Sequence, residues 1–367
     1  MMPSAAQTPR TPQAEVVASG LSHPWAVAFL PQGRFLVTER PGRMRVIEAD
    51  GRLGPALSGV PEVAAQGQGG LLDVMLDGDF VRNRSMFFCF SEPGDIGNST
   101  ALARATLSED HSRLQNLQVI FSARPKVASS AHFGCRLVES STDGKPDGML
   151  FMTLGERFTR KDDAQRLDNH HGKVIRIFKD GRVPTDNPFV AQKGALPEIW
   201  SFGHRNPQGL TMSPNGTLWA HEHGPQGGDE INLVSPGRNY GWPAITFGEN
   251  YGGGPIGAGL TAKAGMAQPL HYWVPSIAPS GMAFLTSTRY GQDWVGNLFV
   301  GSLKFGYLDR IELTDPFGGR VLREHKLLSS LGQRIRDVRQ GPDGLLYVLT
   351  DSAQGQLIRL TPQKIAQ

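Results

Sequence analysis

Two cysteines, Cys89 and Cys135, are too few for a disulfide framework in a chain of 367 residues. Each stands among apolar neighbours, in Phe87–Phe90 and Phe133–Leu137. They read as buried free thiols, with a bridge as the alternative. No apolar run approaches the roughly 20 residues that span a bilayer, which argues against membrane insertion. The 37 Lys and Arg are nearly matched by 34 Asp and Glu and are scattered along the chain. A nucleic-acid binder needs a basic stripe, and none is visible. A net charge of +3 leaves a small anionic ligand open. The N-terminus lacks a basic stretch followed by an apolar one, so no export signal is legible. Either the protein is cytoplasmic, or a leader has been removed. Residues 1–14 read as a disordered tail and 363–367 as a second tail, around a single domain over 15–362.

Several catalytic signatures are also missing. Gly67–Gly70 and Gly252–Gly257 do not join a strand to a helix with an acidic residue about 20 positions on, so they read as loops and not as a dinucleotide fingerprint. There is no G-x-S-x-G nucleophile elbow and no HExxH.

What the chain does have is 45 glycines and 26 prolines. They punctuate short alternating apolar runs, the pattern of strands and tight turns. One unit recurs: an apolar strand, a polar Gly turn and a second strand. It stands at Trp25–Thr38 (WAVAFLPQGRFLVT), Gln208–Ala220 (QGLTMSPNGTLWA) and Ile335–Leu349 (IRDVRQGPDGLLYVL), with looser copies from Leu71, Arg136 and Gly281. Six copies predict an all-β, six-bladed β-propeller with four-stranded antiparallel blades. A blade needs roughly 40–50 residues, so the wider spacings predict inserted loops over 92–130, 157–197 and 223–275. A pair of β-sandwiches is the alternative.

Polar residues stand at equivalent points of these units: Gln68, His132, Arg205 and Asn206, Lys304, Arg334 and Arg336. Any one of the cations reads equally well as a solvated or blade-bracing residue. Their recurrence at one blade position points to an anionic ligand at one mouth of the channel, since Arg matches carboxylates in bidentate fashion. His221 and His223 share a strand face and invite a transition-metal reading, but no third soft ligand stands at a motif spacing. The Gly224–Pro225 turn offers carbonyl oxygens, which suit calcium. Asp229 and Glu230 either add carboxylates there or cap the turn.

The segments Trp200–Leu210 (WSFGHRNPQGL), Glu222–Leu233 (EHGPQGGDEINL), Asn239–Pro243 (NYGWP), Gln333–Val338 (QRIRDV) and Pro342–Asp351 (PDGLLYVLTD) carry a resemblance. From about Glu15 to Leu360 the chain resembles the soluble PQQ-dependent glucose/sorbosone dehydrogenase family, with its aldose sugar dehydrogenase branch the nearer likeness. The resemblance implies a six-bladed propeller that binds PQQ (pyrroloquinoline quinone) and Ca2+. It implies oxidation of aldoses at C1 to the lactone, with electrons passed to an external acceptor. By motif, His132 is the implied general base and Arg205 the group that stabilises the quinone oxygen. Gln68, Asn206, Ser276, Lys304, Arg334 and Arg336, with Arg205, are the implied cofactor contacts. Gly224 and Pro225 are implied carbonyl ligands of calcium, and Glu230 and Tyr240 belong to a further calcium-associated loop. Ala131 departs from the glucose-oxidising branch, which has an acidic residue there, so His132 must be oriented differently. Shorter rim loops imply broad aldose acceptance. The resemblance also implies a periplasmic or secreted protein, taken here as a monomer or weak dimer. The rival readings are a calcium-dependent lactonase or esterase and a non-catalytic binding propeller.

Overall fold

The expected strands form, and they group into six four-stranded antiparallel sheets set around one axis. The computed structural model describes residues 11–142 and 145–363. Blades one to five follow the chain in order, over 24–56, 71–122, 134–202, 207–273 and 279–327. Blade six takes three strands from 335–361 and its fourth from Gln13–Leu21, which pairs antiparallel with Gly355–Thr361. The ring is thus closed by hydrogen bonds between the two ends of the described chain. The strand at Gln13 takes Gln13 and Ala14 out of the expected tail, while 1–10 and 364–367 lie outside the described residues. Helix is nearly absent: Phe80–Asn83 is a single turn. No helix among the described residues is long and apolar enough to cross a membrane.

The predicted insertions need correction. Residues 92–130 contain the end of one long strand of blade two, Ser85–Gly94, and all of two others, Gly97–Leu107 and Leu114–Ser122. Polar side chains on their solvent faces had masked the alternation. Lys173–Phe178 lies inside 157–197, and both Asp229–Val234 and His271–Trp273 lie inside 223–275. The irregular segments are therefore 155–172, 179–198 and 235–270.

The first strand of every blade lines the axis. At its start, each slips register against the second strand, between Pro24 and Ala26, Leu71 and Val74, Gly134 and Leu137, Pro207 and Gly209, Pro279 and Met282, and Ile335 and Asp337. Bulges of this kind re-aim side chains and cluster beside active sites. Space at the axis is short. A Cβ on Gly209 would lie 2.1 Å from the His221 ring, and one on Gly281 2.4 Å from Val338 N, so both positions require glycine.

Apolar side chains fill the spaces between blades, with Phe87, Phe88, Phe90 and Phe133 in the core of blades one to three. Cys89 and Cys135 meet in this layer and form a disulfide between blades two and three. The free-thiol reading fails because two cysteines 46 residues apart in sequence become neighbours when adjacent blades pack.

On the axis itself sits a buried ion network. Arg136 Nη1 donates to Asp337 Oδ1 at 2.9 Å and Asp73 Oδ1 at 3.4 Å. Arg339 donates to Asp73 Oδ1 at 2.6 Å and Asp337 Oδ2 at 3.0 Å. Backbone amides of Leu137 and Val27 donate to Asp73 Oδ2 and Asp337 Oδ2, and the Arg136 guanidinium lies 4.3 Å over the Trp25 ring. Removing one partner of a buried ion pair strands the other charge, typically at a cost of about 3–5 kcal/mol. Asp337→Ala is expected to lower stability by about that amount in chemical denaturation. A midpoint close to that of the unchanged protein would show that the network does not support the ring.

Candidate functional site

A cavity of about 1030 Å³ opens at the end of the axis where the inner strands begin. Its wall includes Gln68, Asn206, Ser276, Lys304, Arg334 and Arg336 of the expected cofactor set, and Gly224 and Pro225 of the expected metal set. The fold thus brings residues from six separate segments to one mouth. Trp25 and Leu72 contribute apolar wall, and Arg40 a further cation.

The cations differ in their freedom. Lys304 is exposed, with its ammonium 5.2 Å from the Phe305 ring. Arg334 Nη2 and Arg336 Nη2 both donate to Asp351 Oδ2, at 3.2 and 2.8 Å. Burial opposes ionisation of Asp351, but the charge and hydrogen bond of Arg336, with His23 and Arg334, hold its carboxyl well below the usual range. The Asn206 side chain accepts from Gly134 N at 3.2 Å and Gln208 Nε2 at 3.1 Å. Its Nδ2 is buried without a partner, as is Nε of Arg205. Unpaired buried donors of this kind are costly and point to a missing acceptor.

Behind the wall lie His132 and Arg205. His132 is 4% exposed, and its Nδ1 lies 3.0 Å from Glu156 Oε1. Its backbone N–H donates to Gln68 Oε1 at 2.8 Å. Glu156 N in turn donates to Arg205 O at 2.9 Å, which ties the two expected catalytic residues together. Burial pushes the His132 pKa below its ordinary value; the Glu156 hydrogen bond works against this, and the Arg205 charge adds to it. Glu156 answers the question that Ala131 raised, since it supplies a carboxylate partner at Nδ1 of the ring.

The expected metal residues separate. Arg205 Nη1 donates to Gly224 O at 2.6 Å, so a guanidinium already occupies one of the two carbonyls. Asp229 is a turn cap. Its Oδ1 accepts from Gly224 N at 2.8 Å and Ser276 Oγ at 2.9 Å, and its Oδ2 from Ile277 N and Ala278 N, both at 2.8 Å. Ser276 is therefore committed to bracing this loop as well as lining the cavity. Glu230 and Tyr240 face a second, far smaller space behind Arg205, shared with Glu222. Burial and the charge of Glu222 push the Glu230 pKa well up. The Tyr240 hydroxyl donates to Leu233 O and accepts from Ser235 N at 2.9 Å, so it is engaged within the protein.

His223 reaches the cavity wall, and its Nε2 lies 2.7 Å from Pro279 O; burial takes its pKa down to about 3. His221 is fully buried under Gly209. Among the described residues no group of three or more His, Cys, Asp or Glu is arranged to hold a metal.

The sequence model described as Glucose / Sorbosone dehydrogenase matches residues 21–359. The chain belongs to the glucose/sorbosone dehydrogenase family. It is 46% identical over 360 residues to the aldose sugar dehydrogenase YliI of Escherichia coli (strain K12), over 97% of this chain and 94% of that protein. The soluble aldose sugar dehydrogenase from Escherichia coli, solved in the apo-form, matches with a TM-score of 0.90 at 44% identity, over 96% of this chain and 100% of that one. The PQQ-bound form of the aldose sugar dehydrogenase from Streptomyces coelicolor matches with a TM-score of 0.76 at 26% identity, over 96% and 99%. The family sets the chain among oxidoreductases that act on sugar CH–OH groups.

Site residues that sequence reasoning passed over share one signal. Arg40, Glu156 and Asp351 each stand one or two residues beyond the second strand of a blade, the position that His223 holds in blade four and Lys304 in blade five. Aligning the ends of the second strands, and not only the starts of the first, would have found them. The geometry of Asp229 carries a prediction. Asp229→Ala leaves three amides and a hydroxyl without their acceptor and is expected to cost about 2 kcal/mol or more. Limited proteolysis should then cut near 224–230 or 274–279; resistance equal to that of the unchanged protein would refute the bracing role.

Proposed function

We propose that this protein is a PQQ- and calcium-dependent aldose sugar dehydrogenase that oxidises the sugar at C1 to the lactone and hands the electrons to an external acceptor. The observation that carries the reading is the juxtaposition of a buried, carboxylate-oriented His132 and Arg205 with a cavity whose wall carries Arg40, Lys304, Arg334 and Arg336.

The residues present fit an anionic cofactor. Lys304, Arg334 and Arg336 would answer the three carboxylates of PQQ, and Gln68 and the unpartnered Nδ2 of Asn206 would hydrogen-bond its edge. Calcium takes 6–8 oxygens. The carbonyls of Gly224 and Pro225 supply two, so the cofactor's own oxygens and water would complete the shell, and Arg205 would have to release Gly224 O. When bound, PQQ supplies a quinone carbon that accepts hydride, and calcium a Lewis acid beside it.

The chain's own residues handle the proton and the developing charge. With Nδ1–H held by Glu156, the lone pair of His132 stands on Nε2, ready to take the proton of the C1 hydroxyl. The lowered pKa keeps the ring neutral, and so able to act as a base, below pH 6.5. Arg205 is buried and has an unused Nε–H, so its charge is little screened where negative charge develops on an oxygen. The cavity is large for one cofactor, which supports broad aldose acceptance. A lactonase would want a metal cage of carboxylate and Asn side chains; the wall here sets Arg40, Lys304, Arg334 and Arg336 beside Asp229, Glu249 and Asp351, and Asp229 and Asp351 are taken up by hydrogen bonds of the protein itself. The buried Cys89–Cys135 bridge supports a periplasmic or secreted location, because disulfides persist in oxidising compartments.

Protein reconstituted with PQQ and Ca2+ is expected to reduce a dye with glucose or xylose, and His132→Ala to abolish turnover while still binding PQQ. Lactone hydrolysis without any aldose oxidation would overturn the reading. The pH profile gives a separate check. Because the neutral imidazole is the active form and its pKa is lowered, the acid limb of kcat/KM should lie below pH 6.5. In Glu156→Gln the carboxylate that raises this pKa is gone, so the limb should move lower still while kcat falls. A limb that moves up would show that Glu156 is not the partner that matters.

A further inference from the structure

The proposed base rides on backbone that its residues disfavour. His132, Gly134 and Cys135 have φ of +50°, +67° and +76°, and two of these three are not glycine. Across the ring, Arg157 and Phe158 follow Glu156 with φ of +66° and +65°. Non-glycine residues hold such conformations only where their surroundings impose them, and they cluster at functional sites.

The surroundings here are specific. Gln68 and Asn206 hold the amides of His132 and Gly134, and both face the cavity. Three other residues hold the same segment yet form no part of the cavity wall. Thr100 Oγ1 donates to Phe133 O at 2.7 Å. Cys89 of blade two is bonded to Cys135. Arg157 donates from Nε to Ala131 O at 3.1 Å and from Nη2 to Ser129 O at 2.6 Å. It also reaches Asn98 O at 3.0 Å and Asn98 Oδ1 at 2.6 Å, and lies 3.9 Å over the Phe133 ring. Arg157 is 2% exposed, and burial takes its pKa down to about 10. A buried cation whose hydrogen bonds all go to neutral oxygens of this segment and of Asn98 is poorly explained by stability alone. Its arrangement makes sense if the segment must be held in one place.

We propose that the Cys89–Cys135 bridge, Thr100 and Arg157 form a positioning brace that locks the His132 ring against Glu156 beside Arg205. The proposal rests on the reading of His132 as the base. A bridge that served only the fold would stabilise blades two and three and leave the chemistry untouched.

The test is Cys89→Ala/Cys135→Ala, assayed as PQQ- and Ca2+-loaded enzyme and, without cofactor, by NMR of labelled histidine. Small misplacements of a catalytic group are costly, so kcat is expected to fall about tenfold or more, with KM for the aldose near that of the unchanged enzyme. In the cofactor-free protein the His132 titration should move up toward its ordinary position as the ring loosens. Glu156, Arg205, Arg157 and His223, the charged and titratable groups that act on His132, all remain in place, so the shift reports the ring's environment. A lower melting temperature with kcat and titration unchanged would overturn the proposal. Should the cysteine pair fail to fold, Thr100→Val removes one hydrogen bond without changing shape. It is expected to lower kcat about two- to fivefold, and an unchanged kcat would again overturn the brace. Normal turnover in His132→Ala would instead defeat the base reading itself, whatever the bridge does.

Discussion

Six sheets that meet at an axis bring charged groups largely out of water, and the Asp73–Arg136–Asp337–Arg339 network pairs them, with Nη2 of Arg136 left without a partner. It joins blades two, three and six, and two cations balance two anions at the crowded centre. Each carboxylate also accepts backbone N–H groups, so the network sets the relative height of the inner strands as well as neutralising charge. The Trp25 ring lies against Arg136 and lines the cavity above, so the wall of the site is built directly on this network. A shift in the network would move every first strand, and with it the bulged starts that carry the site.

Above this base the site sorts its charges by exposure. Lys304 and Arg334 are exposed and able to meet an incoming anion, whereas Arg205 and His132 are buried and held in fixed contacts. An exposed cation attracts, and a fixed buried one acts on charge as it develops, because low dielectric strengthens its field. Two loops supply the rigidity. Asp229 gathers 224 to 276–278 on one side, and the disulfide with Arg157 gathers 129–135 on the other.

Much of the fold was legible because the blade is a repeating unit with its own turn chemistry. Trp25–Thr38, Gln208–Ala220 and Ile335–Leu349 show the strand–turn–strand pattern in local sequence, and their positions agree with the observed inner and second strands. Local polarity misled where a strand has one wet face, as at Leu114–Ser122, whose residues are mostly exposed. Gln68, His132, Arg205, Asn206, Arg334 and Arg336 were visible as polar exceptions at or just before the first strand of a blade, whereas Lys304 stands beyond a second strand and not at the equivalent point expected of it. Glu156 and Arg40 were not, because they follow second strands, whose ends had not been aligned.

By itself, then, the sequence determined the strand-turn alphabet, the number of blades and the convergence of Gln68, Asn206, Arg334 and Arg336, since all of these follow from a period that local chemistry imposes. Only the tertiary structure decided which partner each of these groups meets. The pairing of Cys89 with Cys135, of His132 with Glu156, of Arg205 with Gly224 O and of Asp229 with four donors depends on distances between blades and loops. Such distances come from how sheets pack across the ring, and no spacing along the chain encodes them.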